Sequence, residues 1–372
     1  MKIGIITDSI DYNAQGIGRV IKDFCYHLSE TKFAKYNEIV LIHEKNNNDE
    51  IYSLPNFKEL IVPSKQIPFG REIRKISTLP SEIRKGNFDV IHDLANVGPF
   101  VNSVNAKMIQ TVHDLTPVIF PSCHPFPSVY RTKIGMSLIK KNVDHYITVS
   151  NSTARDLHKL YKINFNKITT IYSSVSIRMQ KFIKEQKNSI NPINDKYILF
   201  VGTIEPRKNI LGLLDIYEEV RKKNSEIKLI IAGKLGWKYD KIINKIKNHK
   251  YKEDIMWISD ASDTKLAQLY NHAKLLLYPS FYEGFGLPVL EAIYAGVPVL
   301  ASDNSSLPEL VGFDDLLIDA NNISEFSEKT TQIINDESLR LKTIEKLKSR
   351  LPLFSWEKNI RQTVEIYKKT NI

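Results

Sequence analysis

Short apolar runs recur along this chain, and between them lie longer stretches whose apolar positions fall three and four residues apart. A short run bounded by turn residues suits a strand covered on both faces, and the longer stretches suit amphipathic helices. The alternation therefore predicts parallel α/β architecture. In the first half the predicted strands are 2–7, 38–43, 90–92, 108–112, 145–149 and 168–171; in the second they are 197–201, 228–232, 255–258, 275–278, 297–301 and 316–318. From about 175 to 195 the pattern gives way to Lys, Ser and Asn with a lone Pro192, which reads as a linker between two domains. Beyond Ile318 the pattern is helical to the end, and Trp356 opens a last amphipathic stretch. Doubly wound sheets bind ligands beyond the carboxyl ends of their strands, so a cleft between the two domains is the expected functional region.

Composition supports this picture. The chain has 372 residues, 42% hydrophobic and 25% charged, enough for two ordinary globular domains. The opening MKIGIITDSI is interrupted by Asp8, and no run approaches the ~20 apolar residues of a membrane span, so a cytoplasmic protein is expected. Cys25 and Cys123 are far apart and outside any metal-ligand spacing, which suggests two reduced thiols. The net charge of +10 is uneven: residues 1–190 carry 26 Lys and Arg against 17 Asp and Glu, and the remainder carries 26 against 25. A basic first half suits an anionic partner such as a lipid headgroup or lipid diphosphate, and equally a proteome that raises charge wherever it is tolerated. The segment RTKIGMSLIKKNVDHY, 131–146, fits a helix lying on a membrane or one burying a face in the first domain.

The strongest chemical signal is Ser280-Phe-Tyr-Glu283-Gly-Phe-Gly286-Leu-Pro-Val-Leu-Glu291-Ala, where the apolar run LLLYPS enters a glycine-bearing loop and then a helix. Glycines let backbone N–H groups approach a ligand, and a helix N-terminus favours an anion. The glutamates, eight residues apart, stand a little over two helical turns from one another, so both can face one ligand. Next comes Phe200-Val-Gly202-Thr-Ile-Glu205-Pro206-Arg207-Lys208-Asn209, a strand followed by a tight turn and two cations suited to stabilising a departing diphosphate. In the first half, Asn13-Ala-Gln-Gly16-Ile-Gly18-Arg19 follows the opening strand but lacks the third glycine of a dinucleotide fingerprint. His113-Asp114 follows another strand, with His92-Asp93 a further pair; Ser150 suits a helix cap, and Trp237 either the site or the core.

The block from Glu283 to Glu291 resembles the motif of retaining GT-B glycosyltransferases of family 4, and the likeness extends along nearly the whole chain. It implies two doubly wound Rossmann-like domains facing each other across a cleft. Residues 1–175 would form the acceptor-side domain, 176–195 the linker, 196–355 the nucleotide-sugar domain, and 356–372 a helix packing back on the first domain. It implies that Glu283 binds donor-sugar hydroxyls and Glu291 the nucleotide ribose, with the amides of Gly284, Phe285, Gly286 and Leu287 on the sugar and diphosphate. Lys208 would contact the diphosphate, with Arg207 beside it or in a structural pair. Gly202 belongs to the same donor-binding turn, Gly16 and Gly18 to a loop closing over the diphosphate, and His113 would bond the donor sugar.

Many members have Gly-Arg where this chain has Gly202-Thr203, which removes one phosphate-binding Arg; the form GTIEPRKN looks like the mannosyltransferase-type subgroup. The resemblance thus implies transfer of a hexose, foremost mannose from GDP-mannose, to a saccharide or lipid-linked saccharide in polysaccharide assembly. A UDP-, dTDP- or GDP-fucose-type donor is the alternative. A non-catalytic sugar-nucleotide or polyanion-binding protein is a second class. The chain has no Asp-x-Asp and no zinc spacing, so neither metal nor cofactor is expected, and peripheral contact with an anionic membrane fits the basic half. No nucleic-acid module accompanies the charge.

Overall fold

The computed structural model of the chain describes residues 1–12, 16–95 and 106–370. It contains two compact units, the first formed by Met1–Val118, Pro127–Ser173 and Ser355–Ile372, the second by Ile119–Phe126 and Ser174–Phe354.

The first unit is built on a seven-stranded sheet of β1 (Lys2–Ile6), β2 (Glu38–His43), β3 (Phe57–Ile61), β4 (Val90–Asp93), β5 (Lys107–Val112), β6 (His145–Thr148) and β7 (Ile168–Thr170), in the order β3-β2-β1-β4-β5-β6-β7. The second holds six strands, β8 (Tyr197–Val201), β9 (Lys228–Ala232), β10 (Ile255–Ile258), β11 (Leu275–Tyr278), β12 (Val299–Ser302) and β13 (Leu317–Ile318), in the order β10-β9-β8-β11-β12-β13. Every pairing is parallel. In each sheet the order reverses once, between β1 and β4 and between β8 and β11, and ligands of such sheets bind at that reversal. The central strands are apolar at successive positions because helices cover both faces. Strand β3 was not foreseen: as an edge strand it reads FKELI, with Lys58 and Glu59 breaking the apolar run.

The helix Trp356–Thr370 belongs to the first unit although it closes the chain. Trp356, Ile360, Val364 and Tyr367 lie along one flank and enter the same core as Ile21, Phe24 and Leu28 of the helix Ile17–Ser29. A polar pin fixes its register. The Nδ1 atom of buried His92, at the end of β4, meets the Tyr367 hydroxyl at 2.6 Å, and its Nε2 meets Thr111 Oγ1 at 2.8 Å. Burial, with a smaller contribution from His113, lowers the His92 pKa to about 3, so the ring is neutral. Both nitrogens are committed inside the unit, which gives His92 a structural task.

Two segments differ from expectation. The stretch from 176 to 195 contains the helix Ile177–Glu185, capped by Ser176, with Met179 and Ile183 buried in the second unit. Its few apolar positions were hidden among Lys and Asn. The other is Ile119–Phe126, from the first half of the sequence, which packs within the second unit. Trp237 Nε1 donates to the Cys123 carbonyl there, Lys238 Nζ donates to that of Ser122, and the Phe120 ring lies 5.8 Å from Tyr282. Trp237 therefore anchors this segment.

Tyr367→Phe should destabilise the protein by about 1–2 kcal/mol, because a buried imidazole nitrogen loses its partner. Urea unfolding would register this as a lower midpoint with an unchanged slope; an unchanged midpoint would remove the pin.

Candidate active site

The second unit gathers its chemistry at the reversal between β8 and β11. Leaving β8, the chain turns at Gly202, whose carbonyl is approached so closely by Gly233 that a Cβ on Gly233 would sit 1.9 Å from it. The turn Glu205–Asn209 follows, and Asn209 takes the left-handed conformation, φ 52°. Its side chain donates to the carbonyls of Pro279 at 3.0 Å and Ala320 at 2.9 Å, and accepts from Gly212 N to cap the helix Ile210–Lys223. Asn209 thus locks the turn after β8 to the loop after β11, and Phe281 N reinforces the lock by donating to the Arg207 carbonyl at 2.9 Å.

That lock brings four charged side chains together. Glu283 accepts from Lys208 Nζ through Oε1 at 2.7 Å and from Arg207 Nη1 through Oε2 at 2.9 Å. Arg207 also donates to the Tyr282 carbonyl at 2.6 Å and to Glu205 Oε1 at 2.5 Å. Lys208 completes its set on the Tyr278 hydroxyl at 2.9 Å, and a Cβ at Gly202 would lie 3.5 Å from its Cε. All five side chains are largely removed from solvent.

Burial alone would push the Glu283 carboxyl up; the Arg207 and Lys208 charges and hydrogen bonds outweigh it and lower its pKa to about 2. Burial lowers the Lys208 pKa against the opposing pull of Glu283, and burial raises that of Glu205. Carboxylates and cations alternate, so each cation is held in place before any ligand arrives.

The loop from Glu283 to Gly286 is fixed from behind. Ser306 Oγ bonds the carbonyls of Glu283 at 3.0 Å and Phe285 at 2.7 Å, and Ser305 Oγ accepts from Glu283 N at 2.9 Å. Gly286, with φ 103°, starts the helix Leu287–Ala295 in a conformation that disfavours a side chain. Phe285 is buried and meets Phe354 edge-on. Of the glutamate pair only Glu291 is helical; Glu283 lies in the loop before the helix, so the spacing of eight is not two turns of one helix. Glu291 is buried and accepts from the Tyr270 hydroxyl at 2.8 Å.

In the first unit, Gly16 has φ 77° and starts the helix Ile17–Ser29, while Gly18 is buried within it. Residues 13–15 of that loop lie outside the described residues. His113 follows β5; its Nε2 donates to the Leu94 carbonyl at 2.8 Å, and burial lowers its pKa, so it is neutral at pH 7. Asp114 caps the next turn through Thr116 N at 3.1 Å. Burial raises the pKa of Asp93, at the end of β4, to about 7. Ser150 caps the helix Asn151–Tyr161 by accepting from Thr153 N. Among the described residues no three His, Cys, Asp or Glu side chains gather as a metal site.

Lys208, Arg207 and Glu283, foreseen from motifs, are brought into one network. Tyr278, Tyr270, Ser305 and Ser306 were missed because they reach the site from other elements with no local pattern. Glu205 stood inside a motif, but its partner is visible only in the fold.

Glu283→Gln should destabilise the protein at neutral pH by about 3 kcal/mol, since buried Lys208 loses its counter-charge and Arg207 keeps only Glu205. The depressed Glu283 pKa adds a pH signature. Its stabilisation is complete above the ordinary carboxyl value of 4.5 and is lost as pH falls towards 2, so wild type should lose stability faster than the variant across that window. Parallel urea midpoints against pH would refute the coupling.

The model of the glycosyl transferases group 1 family matches residues 181–350, and that of Glycosyltransferase Family 4 matches 14–178. An O-antigen chain mannosyltransferase B of Escherichia coli is 28% identical over 99% of this chain and 100% of its own length. An uncharacterised glycosyltransferase of Methanocaldococcus jannaschii is 30% identical over 86% of this chain and 87% of its own. A sucrose-phosphate synthase from Thermosynechococcus elongatus shares the fold, with a TM-score of 0.79 and 19% identity over 99% of this chain and 98% of its own. With two parallel Rossmann-like sheets and both halves matched, the chain belongs to the family 4, group 1 glycosyltransferases of GT-B fold.

Proposed function

We propose that this glycosyltransferase moves a hexose, foremost mannose from GDP-mannose, to a saccharide or lipid-linked saccharide acceptor of a surface polysaccharide. Transfer keeps the anomeric configuration and uses no bound metal or cofactor. The observation that carries the proposal is the Glu283 carboxylate clamping Lys208 and Arg207 at the β8–β11 reversal. The mannosyl donor is supported by the mannosyltransferase relative from Escherichia coli.

In this scheme the donor diphosphate meets Lys208, Arg207, the turn at Gly202 and the amides of Gly284 to Leu287. Glu283 accepts from sugar hydroxyls, and Glu291 binds the ribose. The bond from the anomeric carbon to the phosphate oxygen breaks as the acceptor oxygen bonds that carbon from the same face. The acceptor proton passes to the departing phosphate oxygen, so no side-chain base is needed. Lys208 and Arg207 are already oriented, so stabilising the new phosphate charge requires little reorganisation.

The test is a thermal-shift and calorimetric panel of GDP, GDP-mannose, UDP, UDP-glucose and dTDP without added divalent metal. Binding of GDP or GDP-mannose that is lost in Glu291→Ala is the expected result. Preference for UDP or dTDP overturns the donor while keeping the enzyme class, and no binding at all overturns the donor site. With a turnover assay, Lys208→Ala should reduce kcat by about 10²–10³ while the fold remains intact, and near-wild-type turnover would remove Lys208 from catalysis. NMR of the product's anomeric proton tests retention.

A further inference from the structure

Tyr278 closes β11 beside the reversal and is fully buried. Its strand is paired to β8 on one side and β12 on the other, and its ring stacks on Phe200 of β8 at 5.6 Å with the planes 19° apart. Strand pairing and the stacked ring leave the phenol little freedom. The two groups that share its network sit on less regular backbone. Lys208 lies in the short turn Pro206–Lys208, and Glu283 in the loop before the helix Leu287–Ala295. The Tyr278 hydroxyl is therefore the fixed reference point of the cluster.

An ammonium group carries three N–H donors. Among the described residues Lys208 uses two of them, on Glu283 Oε1 at 2.7 Å and on the Tyr278 hydroxyl at 2.9 Å. Glu283 alone would fix one direction and leave the ammonium free to turn about it. Two partners on different elements fix the tetrahedral group completely, so the direction of the third N–H is set before a ligand arrives. The phenol also suits this task electrically. Burial, and then the Glu283 charge, raises its pKa well above the ordinary tyrosine value, so it stays neutral and can accept from Lys208. A carboxylate in its place would cancel the positive charge that an incoming anion needs.

We infer that Tyr278 is a positioning residue, whose hydroxyl aims the remaining N–H of Lys208 at the diphosphate of the donor. The inference rests on the reading of Lys208 as the diphosphate contact, and adds that Lys208 depends on a strand-borne hydroxyl as well as on Glu283. A pH signature follows from the groups that face Lys208. Burial lowers its pKa, Glu283 opposes this, Arg207 adds to the lowering and Glu205 opposes it. Removing the Tyr278 oxygen takes an acceptor away from the charged form, so the Lys208 charge should be lost at a lower pH as pH rises.

The test is calorimetry of GDP and UDP binding to the full chain across pH, in wild type, Tyr278→Phe, Lys208→Ala and the double variant. Tyr278→Phe should weaken binding about tenfold, and its affinity should begin to fall at a lower pH than that of wild type. Lys208→Ala should weaken binding at least as much. Adding Tyr278→Phe to it should weaken binding no further, because the hydroxyl acts through the lysine. Tyr197→Phe is the control for a merely structural loss. That residue opens β8 in the same sheet, and its buried hydroxyl donates to the Leu269 carbonyl at 2.8 Å. It should lower the melting temperature and leave affinity and pH dependence unchanged. A ring-fluorinated tyrosine at position 278, a weaker acceptor of nearly the same shape, should move the pH dependence in the same direction and serves if the Phe variant does not fold.

Unchanged affinity in Tyr278→Phe, or a loss that adds in full to that of Lys208→Ala, overturns the inference. So does a lower melting temperature with wild-type binding and pH dependence, which makes Tyr278 a core residue only. If wild type binds neither nucleotide, or Lys208→Ala binds as wild type does, the donor-site reading fails and takes the inference with it. If Lys208→Ala loses binding and Tyr278→Phe does not, the inference alone fails.

Discussion

The second unit's chemistry depends on one buried carboxylate. Glu283 holds Lys208 on one oxygen and Arg207 on the other, and both cations would be costly to keep in a dehydrated crevice without it. Arg207 in turn reaches back to Glu205, and Lys208 to the Tyr278 hydroxyl. The cluster is thus a chain of alternating charges ending on a neutral hydroxyl. Its geometry suits anion binding because the cations are held by a partner that is itself fixed by the backbone.

That fixing comes from ordinary local devices. Asn209 stitches two loops together from a left-handed position, Ser306 bonds two carbonyls of the Glu283 loop, and Gly286 turns the chain into its helix. The close approach of Gly233 to the Gly202 carbonyl lets neighbouring strand ends converge. None of these residues needs to touch a ligand for its loss to disturb the cluster. The arrangement places reactive side chains on short loops at the ends of rigid strands, where small errors of position are suppressed.

The first unit uses buried polar groups differently. His92 is consumed by Tyr367 and Thr111 and secures the closing helix, while His113 is tied to the Leu94 carbonyl. Asp93 stands between these roles, a buried carboxyl at the β1–β4 reversal whose pKa burial raises to about 7. Two adjacent strands therefore end in titratable residues whose surroundings favour the neutral form, whereas the second unit keeps its central carboxylate charged. At Asp93 burial outweighs the lowering by the Lys75 charge, whereas Glu283 is bonded directly by two cations.

The amino-acid sequence by itself determined the α/β class, twelve of the thirteen strands among the described residues and the motifs that carry Lys208, Arg207, Glu283 and Glu291. These were legible because buried parallel strands are continuous apolar runs and because loop chemistry clusters locally. Only the tertiary structure decided the partners. Tyr270 reaches Glu291 from another helix, Ser306 reaches the Glu283 loop from beyond β12, and residues 119–126 join a unit formed mostly by later sequence. Strand β3 and the helix Ile177–Glu185 escaped notice because charged residues dilute their apolar pattern. Local periodicity reports which face is buried, but it carries no record of what distant segment buries it, and the site is made from those distant pairings.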